Sequence, residues 1–182
     1  MIAVPSRNTA VGLAVLALGL LAGPASAQTA SAAATPSSVQ SALADDVNNL
    51  SDKFVGLARV MAGKYDWRPG TGVRSVGEVF NLILNENRML AGLLTGAAAP
   101  ASRPAPVTDP AAMQEALKTS YASLHQAVAG LSDSDLQTAV KLFGRDTTKQ
   151  GGALMLLFDQ HEHLGQSIAY ARSNGVVPPW SK

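Results

Sequence analysis

Apolar residues recur at every third or fourth position in four long stretches of the chain, a spacing that predicts four amphipathic helices. The first helix is predicted from about Ser38 to Lys64 and the second from about Ser75 to Leu94. The third begins at Asp109-Pro110, and the last spans about Lys149 to Ser173. No stretch alternates apolar and polar residues as a half-buried strand does, so the pattern indicates an all-α fold.

Capping signals mark the starts of these helices. Ser75 precedes Glu78 by three residues, the spacing of a capping box. Asp109 is a cap residue followed by a proline, which is favoured in a first helical turn. Ser132 opens a second cap signal, which predicts a short turn or helix carrying Leu136, Val140, Leu142 and Phe143. The run Asp146-Thr147-Thr148 is predicted to cap the last helix.

The connector between helices 2 and 3 constrains the topology. It is rich in proline and alanine and runs for roughly twelve residues, enough to span ~40 Å when extended. A helix of twenty residues is ~30 Å long, so the connector can cross the bundle from end to end. We therefore predict a four-helix bundle with a long crossover between helices 2 and 3, which run parallel.

The first 27 residues have the pattern of a secretory signal peptide. Arg7 is followed by an apolar run and then by the small-residue site Ala25-Ser26-Ala27. The run is shorter than the ~20 residues that a membrane-spanning helix needs, so no stable membrane insertion is expected after cleavage. We expect an exported protein, periplasmic or extracellular, with a flexible lead at 28–37 and one domain at 38–182.

Charge and cysteine content exclude several classes of function. The chain has 14 basic and 13 acidic residues, and losing Arg7 with the signal leaves 14 − 1 = 13 of each. The basic residues form no cluster along the sequence that could bind a phosphate backbone, so nucleic acid is not an expected partner. The chain has no cysteine, which excludes disulfides, thiolate nucleophiles and cysteine-based zinc sites.

The densest polar cluster lies in the last helix. Asp159 and His163 are one turn apart on the same face, in line with Gln166 and Tyr170, and a carboxylate and an imidazole at this spacing can share a divalent metal. They can equally form a simple hydrogen bond. His161 falls on the opposite, apolar face and is expected to be a packing residue rather than a ligand. That face would contact either the short segment before the helix or a second subunit in a homodimer, and it carries Leu154, Leu157, Leu164 and Ile168.

The C-terminal segment DQHEHLGQSIAYARSNGVVPPWS resembles the last helix and tail of DinB/YfiT-like proteins. The segment WRPGTGVRSVGEVFNLI resembles the turn and second-helix opening of that family, and LKTSYASLHQAV resembles its third helix. The likeness extends over about residues 38 to 182. It implies a four-helix bundle with a long second connection.

Many family members bind a divalent metal through three histidines, one in helix 2 and two in helix 4. The resemblance places His163 at the last of these positions and Asp159 at the first helix-4 position. Leu82 occupies the helix-2 histidine position and cannot ligate. Glu86, one turn further on, is the candidate replacement, with Asn85 a weaker one. The sequence therefore leaves two alternatives: a zinc or nickel site at Glu86, Asp159 and His163, or a bundle without metal.

Two functions follow from these alternatives. The degenerate ligand set favours a non-catalytic exported domain that binds a small apolar ligand or a partner through the second apolar face of the last helix. The alternative is a divalent-metal-dependent transferase or hydrolase, as the resemblance implies for relatives that activate a low-molecular-weight thiol. Those thiols are cytosolic, whereas this chain carries an export signal.

Overall fold

The computed structural model describes residues 38–98 and 102–181, so the predicted signal peptide and the lead at 28–37 lie outside the described residues. Among the described helices, none is both long and apolar enough for a membrane span. The elements in chain order are α1 (Ser38–Val60), a 3-10 turn (Ala62–Lys64), α2 (Val76–Thr95), α3 (Pro110–Ala129), α4 (Asp133–Leu136), β1 (Ala139–Leu142), β2 (Arg145–Thr148) and α5 (Lys149–Ser173).

The predicted caps are confirmed. Ser75 accepts a hydrogen bond from the backbone N–H of Glu78, whose carboxylate accepts one from the Ser75 N–H, so the capping box is complete. Asp109 caps α3, and Thr148 caps α5. The first helix is shorter than predicted because its last turn tightens into the 3-10 turn.

Helices α2 and α3 run parallel, as the long connector predicted. Asn81, near the start of α2, bonds to Val107 just before α3, and Asn87 in the middle of α2 bonds to Ser120 in the middle of α3. Positions therefore advance along both helices in the same direction. Between these helices the chain crosses from one end of the bundle to the other, which confirms the crossover.

The core is apolar and rich in aromatic rings. Phe54 in α1 meets Phe80 of α2 edge-on at a centroid distance of 6.5 Å and stacks with Tyr121 of α3 at 6.2 Å. These three side chains are almost fully buried. They join three of the four long helices, so the register of the helices is set by close ring packing at the centre of the bundle.

A small β-hairpin precedes α5, and the prediction that no strand occurs was wrong here. Strands β1 and β2 pair antiparallel around Phe143 and Gly144, which have φ values of 50° and 78°. Two adjacent positive φ values are typical of a tight hairpin turn. The predicted short segment through Phe143 is helical only to Leu136. Alternation was not recognised because β2, Arg145–Thr148, contains no apolar residue and β1 has only four residues.

The second apolar face of α5 packs within the chain. Leu157 and Leu164 are 2% and 5% exposed, and α5 contacts α1 along this side. These residues are therefore not available to a second subunit. The homodimer stays a prediction, and it would need a different surface.

Candidate metal centre

Helices α2 and α5 bring Glu86, Asp159 and His163 together. One ligand atom from each residue lies within 4.8 Å of the other two. The Nε2 atom of His163 is 4.0 Å from Oε1 of Glu86 and 3.7 Å from Oδ2 of Asp159. The structure thus places the three candidate ligands around one point, although Glu86 is 73 positions away from Asp159 in the chain.

Glu86 is a buried carboxyl group without full hydrogen bonding. The residue is 5% exposed, and its Oε2 atom has no hydrogen-bond partner within the described residues. Burial raises the pKa of Glu86 to about 8, a hydrogen bond with Asp159 and the charge of that carboxylate add to the rise, and Arg74 opposes it. An unsatisfied buried carboxyl is costly, so its retention here points to a ligand-binding role.

A chain of hydrogen bonds determines which nitrogen of His163 carries a proton. The backbone carbonyl of Arg74 can only accept, so the Tyr170 hydroxyl must donate to it, at 3.1 Å. The Tyr170 oxygen then accepts from the Gln166 amide nitrogen at 2.7 Å, which leaves the Gln166 carbonyl oxygen facing His163. That oxygen lies 3.0 Å from Nδ1, so Nδ1 carries the proton.

In the neutral ring, Nε2 is therefore left with its lone pair directed at the two carboxyl groups. This arrangement, a metal-facing nitrogen with the other ring nitrogen held by a hydrogen bond, is the one that metal-ligating histidines usually show. Gln166 and Tyr170 were placed on the same helix face as the candidate ligands by the sequence pattern. Their role in orienting His163 was not predicted.

The two separations to His163 Nε2 fit ligands around a metal better than they fit direct hydrogen bonds, whereas Glu86 and Asp159 lie close enough to hydrogen-bond each other. Hydrogen bonds between nitrogen and oxygen are about 2.7 to 3.2 Å long, which is shorter than both distances to His163 Nε2. Ligand atoms around a tetrahedral zinc ion lie about 3.4 Å apart. The alternative of a simple Asp159–His163 hydrogen bond does not match the 3.7 Å separation of the two atoms. One imidazole and two carboxylates form a donor set that suits a divalent cation.

The other candidates for the helix-2 ligand lie away from this group. Leu82 is half-buried one turn before Glu86 and provides no donor. Asn85 donates to the Asn81 carbonyl and accepts from Arg88, so its amide is already engaged. Within the described residues, Glu86 is thus the α2 side chain that completes the group.

The remaining histidines are separate from the group. His161 is exposed on the α1 side of α5, where its Nε2 lies 2.9 Å from an Asp46 carboxylate oxygen. It was expected to be a packing residue and instead forms a polar contact between helices. His125 is half-buried in α3.

A second polar network, missed in the sequence, lies beside the group in the core. Tyr121 donates to Gln160, Gln160 donates to Asn87, and Asn87 donates to Ser120, with distances of 2.9, 2.8 and 3.0 Å. Gln160 and Asn87 are fully buried. No signal in the sequence marks it, because the two amides stand next to Asp159 and Glu86 within polar stretches of both helices.

We expect Gln166→Leu to remove the preference of His163 for the tautomer with the proton on Nδ1. Leucine cannot accept from Nδ1, so the Nδ1–H form loses its stabilising partner and both neutral tautomers become populated. Nitrogen-15 NMR of the metal-free protein, labelled at histidine, measures this as a shift of the His163 ring signals toward the Nε2–H pattern. The His161 signals should stay unchanged, and an unaltered His163 spectrum would contradict the assignment.

Comparison with solved structures identifies similar folds. The chain is similar to a DinB-like protein from Bacillus subtilis at 16% identity and a TM-score of 0.61, over 74% of this chain and 92% of that one. It is also similar to a DinB-like protein from Bacillus cereus at 15% identity and a TM-score of 0.63, over 79% and 95% of the two chains. At these identities the likeness shows the fold alone. No curated protein sequence matches the chain.

The family assignment comes from the sequence match together with this fold. The DinB superfamily model matches residues 37–167, which include four of the five helices whole and most of α5 with the Glu86, Asp159 and His163 group. The resemblance first noted in the C-terminal segment is therefore confirmed over most of the chain. The chain belongs to the DinB superfamily.

Proposed function

We propose that this protein binds one divalent cation, zinc in the first place, through Glu86, Asp159 and His163. The observation that carries the proposal is the buried Glu86 carboxyl, whose Oε2 atom has no hydrogen-bond partner while its other oxygen faces His163 Nε2. Nitrogen and carboxylate ligands are among those that zinc prefers in proteins. A cation between these groups would supply the positive partner that a buried, ionised carboxylate needs.

The exposure of the three ligands indicates the kind of site. The Glu86 and His163 side chains are 7% and 16% exposed, whereas that of Asp159 is 46% exposed. The group is therefore closed toward the core and open on the Asp159 side. Three protein ligands with an open side are typical of catalytic rather than structural zinc sites. A bound zinc ion would act there as a Lewis acid that lowers the pKa of a ligand such as water.

This geometry favours the metal-dependent alternative over the non-catalytic one. The non-catalytic interpretation depended on a missing ligand and on a second apolar face of α5. Glu86 lies where it can replace that ligand, and Leu157 and Leu164 of that face are buried within the chain. We therefore propose a metal-dependent transferase or hydrolase as the class of activity, with the reacting group bound on the Asp159 side.

Metal binding is tested by equilibrium dialysis of untagged protein against zinc, followed by elemental analysis. We expect about one zinc per chain and a rise in melting temperature on loading, because a ligand that binds only the native state stabilises it. His163→Ala should abolish stoichiometric binding, and Glu86→Gln should weaken it strongly, since an amide is a poor zinc ligand.

His161→Ala is the matched control. It removes a histidine from the same helix, two positions before His163, on the face that contacts Asp46. This variant should keep one zinc per chain and the full rise in melting temperature. Equal loss of zinc in both histidine variants, or no zinc in the unaltered protein, would overturn the proposal.

A further inference from the structure

A wide groove lies along α2. It has a volume of about 1140 Å³ and is bounded by α2, α3 and the segment from Arg103 to Val107. None of Glu86, Asp159 and His163 lines it. The volume lies slightly above the ~300–1000 Å³ typical of small-molecule sites.

The groove wall formed by the connector is held in place by one side chain. The Asn81 amide donates to the Val107 carbonyl at 2.9 Å, and its oxygen accepts from the Val107 N–H at 2.8 Å. A third bond joins the same amide to the Gly77 carbonyl of α2. The connector is thus fixed to α2 beside the groove, so this wall of the groove is preorganised for ligand binding.

The lining of the groove combines cationic side chains with an apolar base. Four arginines line it, against the two acidic residues Glu78 and Glu115: Arg68, Arg74, Arg88 and Arg103. Its apolar residues include Leu82, Ala91, Val107 and Ala116, all half-buried. In a domain with nearly equal numbers of acidic and basic residues, this is a local excess of positive charge.

Most of these cations have no ion-pair partner. Arg68 lies 3.4 Å from the Glu78 carboxylate, which also accepts from the Ser75 N–H. Across residues 38–98 and 102–181, no carboxylate lies within 4 Å of Arg74, Arg88 or Arg103. Guanidinium groups bind carboxylates and phosphates through paired hydrogen bonds, so this surface suits an oxyanion.

We propose that the groove is a second binding site, for a small organic anion with an apolar body and one or two oxyanion groups. The body would lie on the apolar base, and the oxyanions would contact Arg74 and Arg103. This inference goes beyond the metal proposal and does not depend on metal binding, because none of the three candidate ligands lines the groove, although Arg74 also acts on the charge of Glu86.

The test uses metal-free protein and the fluorescent probe 8-anilinonaphthalene-1-sulfonate, which has an aromatic body and one anionic group. We expect saturable binding of one probe per chain, displaced by phenyl phosphate and not by its neutral match phenol. The double variant Arg74→Gln with Arg103→Gln should weaken the probe by about tenfold or more, as expected for the loss of charge-assisted hydrogen bonds.

Two controls separate the groove from other surfaces. Arg59→Gln with Arg172→Gln removes the same charge from exposed sites in α1 and α5 that do not line the groove, and should leave probe affinity within about twofold. Phe158→Ser removes the side chain that is 63% exposed in α5 and should also leave it unchanged. Equal weakening by the control pair, loss of the probe in Phe158→Ser, or displacement by phenol would overturn the proposal.

Discussion

Metal-free protein is expected to lose stability as the pH rises from about 5 to 9, and Glu86 is the cause. Its pKa is raised from 4.5 in the unfolded chain to about 8 in the fold, mainly by burial. Below pH 4.5 the carboxyl is protonated in both states and favours neither. Between the two pKa values the unfolded chain ionises while the folded protein keeps its proton, so the free energy of unfolding falls with increasing pH.

The size of this effect follows from the shift. Each pKa unit corresponds to about 1.4 kcal/mol, so the rise from 4.5 to about 8 corresponds to about 5 kcal/mol in all, of which about 4 kcal/mol falls between pH 5 and pH 9. Chemical denaturation at pH 5, 7 and 9 measures it. The pKa values of Glu78 and Asp135 are lowered in the fold. Their contribution to the free energy of unfolding therefore changes only at acidic pH, below this window, where it falls as the pH falls.

Glu86→Gln isolates the contribution of this one carboxyl group. Glutamine has nearly the same shape and does not ionise, so the variant should equal the unaltered protein near pH 5 and exceed it in stability by up to about 4 kcal/mol near pH 9. A difference in unfolding free energy that is constant with pH would contradict the expectation. Under the metal proposal, added zinc reverses the order at high pH, because the ion binds the ionised carboxylate of the unaltered protein alone.

Part of the site could be predicted because it depends on a single helix. Asp159 and His163 share a face of α5 through the fixed step of the helix, and the same step aligns Gln166 and Tyr170 with them. Predicting Glu86 as a ligand also required knowing that the turn of α2 after Leu82 faces α5. The family resemblance indicated that α2 faces α5 at this turn, and the structure places Glu86 4.0 Å from His163.

The remaining features depend on packing that no local pattern encodes. The hairpin was missed because each strand has four residues and its turn is Phe-Gly rather than the usual Asn-Gly. The buried amides Asn87 and Gln160 were missed because their bond spans 73 positions in the chain. Amides are equally common on exposed helix faces, so their residue type does not reveal burial.

The bridge formed by Gln160 in the core is expected to have one of the largest effects on stability of any single side chain. Gln160 accepts from the Tyr121 hydroxyl and donates to the Asn87 carbonyl oxygen, and all three residues are at most 1% exposed. Gln160→Leu removes both bonds, so the Tyr121 hydroxyl loses its Gln160 acceptor and the Asn87 carbonyl oxygen loses its Gln160 donor. Each such loss costs about 1 to 3 kcal/mol, so we expect a loss of about 2 to 5 kcal/mol.

A double-mutant cycle distinguishes the lost bonds from simple misfit of the leucine. Tyr121→Phe removes the hydroxyl, so Gln160→Leu in that background removes only the donor to the Asn87 oxygen and should cost about 1 to 3 kcal/mol less than in the unaltered protein. Urea denaturation at pH 5, where Glu86 is protonated in the fold, measures all four corners of the cycle. If the losses of unfolding free energy in the two single variants simply add in the double variant, the leucine destabilises by poor packing. That result would contradict a cooperative network joining α2, α3 and α5.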